Sequence, residues 1–196
     1  MYWDITMLTA AVARIDAVQA EYSAFETLHE TDELISTAKE LGIAYVAYSP
    51  LGHGWLVDNF DIKSPDDFPA KDLRRTSRWT YLSHTRPFCR IVLTYIIAVP
   101  KFQGENFYQN KAIVEELKKV AARRGCTTAQ IALAWVAAQG MIAIPGTTKV
   151  DRLEENWASW GIELTEEELV ELRRIVENAK PVGNRYSAAL QAIVGH

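Results

Sequence analysis

Cysteine is scarce in this chain: Cys89 and Cys126 are the two it has, and they lie far apart. Neither a disulfide framework nor a zinc motif can be built from them, so the expected state is two reduced thiols in a cytoplasmic setting. Histidine is nearly as sparse. His29, His53, His84 and His196 show no metal-ligand spacing and read as surface or loop side chains, so no metal site is expected. No apolar run approaches the roughly 20 residues that cross a bilayer. The opening residues, MYWDITMLTAAVARIDAV, lack the basic start of a secretory leader. A strong charge of one sign is missing too. A formal net charge of -4 and a pI of 5.6 leave no basic field, which argues against nucleic acid or an anionic membrane as a partner. Internal repeats and low-complexity tracts are absent.

What is present reads as a globular α/β chain. At 196 residues and 48% hydrophobic composition it can bury a core, and its length suits one domain or at most two. Residues 15–22, IDAVQAEY, alternate with period two, and Gln19 and Glu21 turn one side polar toward the strand's C-terminal end. That polarity suits a ligand at the strand ends of an α/β fold or, equally, the wet face of an edge strand. Thr31, Asp32 and Glu33 then cap a short helix with Leu34, Ile35, Ala38 and Leu41 on its apolar side and Gly42 as its stop. IAYVAY at 43–48 is the nearly all-apolar strand of a parallel sheet, broken by Ser49, Pro50, Leu51 and Gly52. Together these make a βαβ unit.

Residues 57–71 form a polar loop. Residues 76–99 change character, with no acid and a β-branched end at 91–99 that predicts a strand without an evident partner. Helices resume near Asn110, first on Ile113, Leu117 and Val120 as far as Gly125. A second follows the capping box Thr127-x-x-Gln130, with Ile131, Ala134, Trp135 and Ala138 facing inward. A final helix opens at another capping box, Thr165-x-x-Glu168, where Glu166, Glu167 and Glu168 suit the helix dipole.

The chemistry is most legible at 143–157, AIPGTTKVDRLEENW. The apolar run 141–144 is a strand, Pro145 and Gly146 end it, and Thr147 and Thr148 offer hydroxyls to a helix starting near Lys149. Lys149, Arg152 and Asn156 then share one face, while Val150, Leu153, Trp157 and Trp160 share another that packs, so Trp135, Trp157 and Trp160 read as core. Free amides, hydroxyls and two cations suit a phosphate monoester. An ordinary solvated helix start is the competing reading, although first-turn cations oppose the dipole by roughly 0.3–1 kcal/mol.

The succession βα, βαα, βαα is α/β with parallel strands, and it resembles the C-terminal half of an aldo-keto reductase. The matching pieces are VQAEYSAFE at 18–26, AYSPLGHG at 47–54, GCTTAQIALAWV at 125–136 and IPGTTKVDRLEEN at 144–156. The resemblance implies an incomplete TIM (β/α)8 barrel, its last three βα units plus the C-terminal helix, as one incomplete domain over residues 1–196. It implies NADPH as cofactor. Gln19 would bind the nicotinamide carboxamide, Tyr48 would stack on the ring, and Ser49, Pro50, Leu51 and Gly52 would lie along the pyrophosphate. Gly146, Thr148, Lys149 and Arg152 would hold the 2′-phosphate, and Glu155 and Asn156 the adenine.

The family's catalytic Asp, Tyr, Lys and His come from the first half of the barrel, which nothing here matches, so no catalytic residue is assigned. The implied activity is reduction of aldehydes or ketones to alcohols by an oxidoreductase of which this chain is a fragment. The alternative is a non-catalytic nucleotide-binding or regulatory relative, or a non-functional truncated product. A small carbonyl compound is the expected substrate of the intact protein, and open barrel edges are expected to promote self-association. Relatives run directly from a segment like DDFPAKDLRR to one like PKFQGENF, so 76–99 reads as an insertion, expected to be a retained intron or similar gene-model error, with a genuine extra loop as the alternative, and the start as truncated.

Overall fold

The computed structural model describes residues 12–58, 62–69, 72, 74, 79–80, 94–95, 100–178 and 180–184. The chain divides into two compact units. One is Met1–Phe60 with Ile113–Lys180, and the other is Asp61–Ala112 with Pro181–His196.

The first unit is built on a parallel sheet of strands β1 (Ala17–Glu21), β2 (Ala44–Tyr48) and a third, two-residue strand, Ile142–Ala143, in the order β1, β2, third strand. Helix α1 (Leu34–Glu40) connects β1 to β2. It buries Leu34, Thr37 and Ala38 and leaves Leu41 exposed. Its N-cap is Glu33, with φ of 66° and no side-chain capping bond; just before it, Asp32 Oδ1 accepts from the Leu34 amide at 3.1 Å, and His29 Nδ1 holds the other oxygen at 2.7 Å. His29, read from the sequence as a surface or loop side chain, lies in a short connecting turn and is buried there.

Two residues beyond β1, Ser23 and Glu26 exchange both backbone hydrogen bonds and fold Phe25 into the core. The second unit contains strands β3 (Trp79–Thr80) and β4 (Thr94–Tyr95), which pair antiparallel, so the two described strand residues within 91–99 find their partner at 79–80. The rest of 91–99 lies outside the described residues, as does Cys89. Phe68, Phe102 and Phe107 form that unit's aromatic cluster, with edge-on ring centroids 5.9 and 6.1 Å apart. Buried Asn110 exchanges hydrogen bonds with Val182 at 3.0 and 2.9 Å and donates to the Lys101 carbonyl at 2.9 Å.

Helix α2 (Gly104–Arg124) starts earlier than the apolar periodicity indicates. Phe107, buried against Phe68, anchors its polar first turns through a contact that is distant in sequence. From Ile113 onward the helix buries Ile113, Val114, Leu117, Val120 and Ala121 in the first unit. Helix α3 (Thr128–Ala138) is the central packing element, buried from Thr128 through Val136 apart from Gln130. Trp135 stacks on Tyr22, just past β1, with centroids 5.3 Å apart. The third strand, β5 (Ile142–Ala143), leads to α4 (Val150–Ala158), and α5 (Glu166–Asn178) closes the described part.

The expected packing face of α4 is a correction. Val150, Leu153, Trp157 and Trp160 are exposed, whereas Asn156 and Ser159 are buried. Gln130 fixes the helix by donating to the Glu155 carbonyl at 3.2 Å, turning the Asn156 side inward. β5 is at the sheet's edge, so among the described residues nothing lies beyond α4 to cover the apolar side.

Candidate cofactor site

The register of the sheet determines which side chains share a face. Gln19 pairs with Val46 and Glu21 with Tyr48, so with period two Gln19 and Tyr48 are diagonal neighbours on one face. The opposite face, with Ala20, Tyr45 and Ala47, is buried. Gln19 is exposed and Tyr48 half-buried on the open side. Because Ala47 pairs with Ala143 and accepts from the Ile144 amide at 3.1 Å, the segments after β2 and β5 leave the sheet side by side at its C-terminal edge. That edge is where open or closed α/β sheets hold ligands.

Ser49 through Gly54 form a tight loop. Ser49, Gly52 and His53 have φ of 52, 56 and 56°, in the left-handed region. The Gly52 amide donates to the Ser49 carbonyl at 2.9 Å, and Pro50 is buried. Phe25 lies directly beneath: a β-carbon on Gly52 would meet its ring at 3.0 Å. His53 Nε2 lies 3.1 Å from Oε1 of buried Glu21, tying the loop back to β1. Further along, Asp58 Oδ1 accepts from the Thr128 amide at 3.1 Å and from its hydroxyl, which fastens the loop to the start of α3.

After β5, Gly146 and Thr148 are exposed, Thr147 Oγ1 accepts from the Lys149 amide at 3.1 Å, and Lys149 is an extended N-cap rather than a helical residue. Among the described residues, the amides of Gly146, Thr148, Val150, Asp151 and Arg152 have no protein acceptor, and neither Lys149 nor Arg152 is paired with a carboxylate. This is a concentration of unused donors and positive charge at a helix start. Asn156, buried one turn on, lines an apolar cavity of about 110 Å³ with Leu133, Met141, Ala143 and Pro145. The residues present fit a dinucleotide phosphate at this end of the sheet.

Asp58 and Gln130 support the site without any sequence signal for it, whereas Glu21 belongs to the polar strand end read above as suited to a ligand and His53 reads from the sequence only as a loop neighbour. Gln130 was visible only as a cap, and its amide does two things: Oε1 accepts from Thr127 and Nε2 donates to α4. Asp58 and Thr128 are 70 positions apart, which no local pattern encodes.

Neither Tyr22 nor Tyr45 is an activated acid. Burial, then the hydrogen bond to Glu30, pushes the Tyr22 hydroxyl well above its ordinary value. Burial, then the nearby Asp32 charge, does the same to Tyr45. The Cys126 thiol is also pushed up, by burial, opposite to a reactive thiolate.

The sequence profile of the Aldo/keto reductase family matches residues 2–177. The chain belongs to this family. It is 51% identical over 185 residues to an aldo-keto reductase of Gibberella moniliformis, covering 94% of this chain and 50% of that protein. It is 36% identical over 181 residues to the Schizosaccharomyces pombe aldo-keto reductase yakc [NADP(+)], covering 90% of this chain and 46% of that one. This aldo-keto reductase chain thus spans about half the length of the curated relatives it matches.

Among solved structures, the glycerol dehydrogenase from Gluconobacter oxydans superposes with a TM-score of 0.70 at 24% identity, over 94% of this chain and 50% of that one. The aldose reductase from Schistosoma japonicum gives 0.54 at 18% identity, over 97% and 42%. At these identities the likeness is one of fold, and it makes the three-stranded sheet with its helices part of a TIM-type barrel. Among the described residues no helix is long and apolar enough to cross a membrane.

Proposed function

We propose that this chain carries the cofactor-holding part of an NADPH-dependent aldo-keto reductase that converts aldehydes or ketones to alcohols in the cytoplasm. It would form one reductase domain, incomplete over residues 1–196 and interrupted by an insertion at 76–99. The observation that carries the reading is the donor cluster after β5: the amides of Gly146, Thr148, Val150, Asp151 and Arg152, free among the described residues, beside Lys149 and Arg152, which among those residues pair with no carboxylate. An adenosine 2′-phosphate is a dianion with the size and charge to use them, whereas a free 2′-hydroxyl is not. The name of the S. pombe relative, which specifies NADP(+), supports the same choice.

Gln19 would orient the nicotinamide through its carboxamide, and Tyr48 would stack on the ring from the neighbouring strand. Ser49, Pro50, Leu51 and Gly52 would follow the pyrophosphate, Gly146, Thr148, Lys149 and Arg152 would hold the 2′-phosphate, and Glu155 and Asn156 the adenine. Bound NADPH supplies hydride to the carbonyl carbon of a small substrate. The proton that must reach the carbonyl oxygen has no assigned donor in this chain, and burial drives Tyr22 and Tyr45 away from acidity.

Titration of the purified chain with NADPH and NADH, followed by tryptophan emission, tests the reading. NADPH is expected to bind at least tenfold more tightly, and Arg152→Ala to cost NADPH roughly tenfold to a hundredfold while leaving NADH nearly unchanged, as loss of a charge-assisted hydrogen bond implies. Equal affinities in the unsubstituted chain would overturn it. With a simple aldehyde added, the chain alone is expected to bind NADPH without consuming it.

A further inference from the structure

The loop after β2 is closed at its base by a side chain. It leaves the sheet at Tyr48, whose register partner on β1 is Glu21, and it comes back to that same Glu21 through His53 Nε2 at 3.1 Å. The Glu21 side chain is 3% exposed and that of His53 38%, so the contact reaches from the surface to a buried strand end. A carboxylate at that depth needs polar partners, and the imidazole supplies one from the loop. The backbone it holds is an unfavourable one. Ser49, Gly52 and His53 are all left-handed, although Ser49 and His53 carry side chains. Gly52 is pressed against Phe25, and Trp55, at the loop's exit, stacks on the same ring with centroids 5.6 Å apart. Those contacts fix the loop from below, and His53 adds a polar tether to β1. In this shape the Gly52 and Gly54 amides donate to the Ser49 and Leu51 carbonyls at 2.9 and 3.0 Å. Among the described residues the amides of Ser49 and Leu51 have no protein acceptor. Unused amides in a turn of left-handed residues are what an anion-binding concavity is made of.

On the proposal that this site holds NADPH, we infer that His53 is a positioning residue for the cofactor's diphosphate: its contact with Glu21 holds residues 49–54 in the form that keeps the Ser49 and Leu51 amides available. The same contact ties the loop to the nicotinamide end, because Gln19 precedes Glu21 on the same face of β1 and Tyr48 lies opposite Glu21. Loosening the tether therefore weakens the grip on the diphosphate and nicotinamide. The 2′-phosphate end depends on the segment after β5 and keeps its donors.

The test is calorimetric titration of the purified full chain with NADPH and, separately, with adenosine 2′-monophosphate. Asparagine tolerates a left-handed backbone, so His53→Asn shortens the side chain without adding strain. It is expected to weaken NADPH roughly tenfold and to change adenosine 2′-monophosphate by less than about twofold, as loss of one polar contact under the loop implies. Glu21→Met keeps the volume and removes the acceptor, so it is expected to lose as much. The double variant should lose no more than either single one, because both break the same contact. Glu21→Gln leaves an oxygen for the imidazole and should retain most of the affinity. Full NADPH affinity in His53→Asn, a loss there that Glu21→Met does not share, or losses that add in the double variant would overturn the inference while the dinucleotide reading stands. Equal loss of both nucleotides means damage to the fold rather than to the loop, and overturns it as well. An unsubstituted chain that binds neither nucleotide brings down the dinucleotide reading and this inference together.

Discussion

Gly52 is the residue whose identity is most tightly constrained by its surroundings. Its φ of 56° is costly for any side chain, and Phe25 occupies the space a β-carbon would need. Gly52→Ala is expected to destabilise the first unit by about 1–2 kcal/mol, read from the midpoint of urea unfolding. The neighbouring His53 and Ser49 bear similar backbone strain without being glycine, which the contact from His53 to Glu21 helps to hold. The turn was legible in the sequence, because Ser49-Pro50-Leu51-Gly52 follows an apolar strand. The Phe25 contact was not, since it depends on a hairpin 27 positions earlier being folded back beneath the loop.

At the scale of the element, α3 and α4 are coupled by one side chain. Gln130 closes the capping box of α3 with its oxygen and grips the Glu155 carbonyl with its nitrogen. Gln130→Glu keeps the acceptor for Thr127 and removes the donor. The expected loss is about 1 kcal/mol in thermal unfolding, with weaker NADPH binding because Arg152 and Asn156 ride on α4. Gln130→Ala loses both bonds and is expected to cost more. The capping boxes at Thr127 and Thr165 were readable because both partners lie within one turn. The orientation of α4 was misread for the opposite reason. Its periodicity marks an apolar face, but only neighbours remote in sequence decide whether that face is covered.

For the molecule as a whole, the buried hydroxyls of Tyr22 and Tyr45 make stability depend on alkaline pH. Both keep their protons in the folded state to higher pH than in the unfolded chain, where a tyrosine titrates near 10.0. Their contribution is fully present below that pH and declines as the pH rises above it, because the unfolded chain then releases protons that the folded one retains. Urea midpoints measured from neutral to strongly alkaline pH should fall beyond 10.0, and less steeply in Tyr22→Phe with Tyr45→Phe. The hydrogen bond from Tyr22 to Glu30, and the pairing of Glu30 with Arg173 at 2.8 Å, place this dependence in the network behind β1.

The sequence by itself determined the parallel βα order, three of the four residues read as inward on α3 (Ile131, Ala134 and Trp135, with Ala138 exposed at the helix end), the loop breaks at Pro50 and Gly146, and the family, because each rests on local periodicity, capping or a short motif. Only the tertiary structure decided that Gln19 and Tyr48 share an open face, that Asp58 and Glu21 secure the loop between them, and that Trp157 and Trp160 are in solvent. Those facts depend on strand register and on which elements become neighbours. Register and neighbourhood are fixed by burial summed over the folded chain, and no single stretch of sequence encodes them.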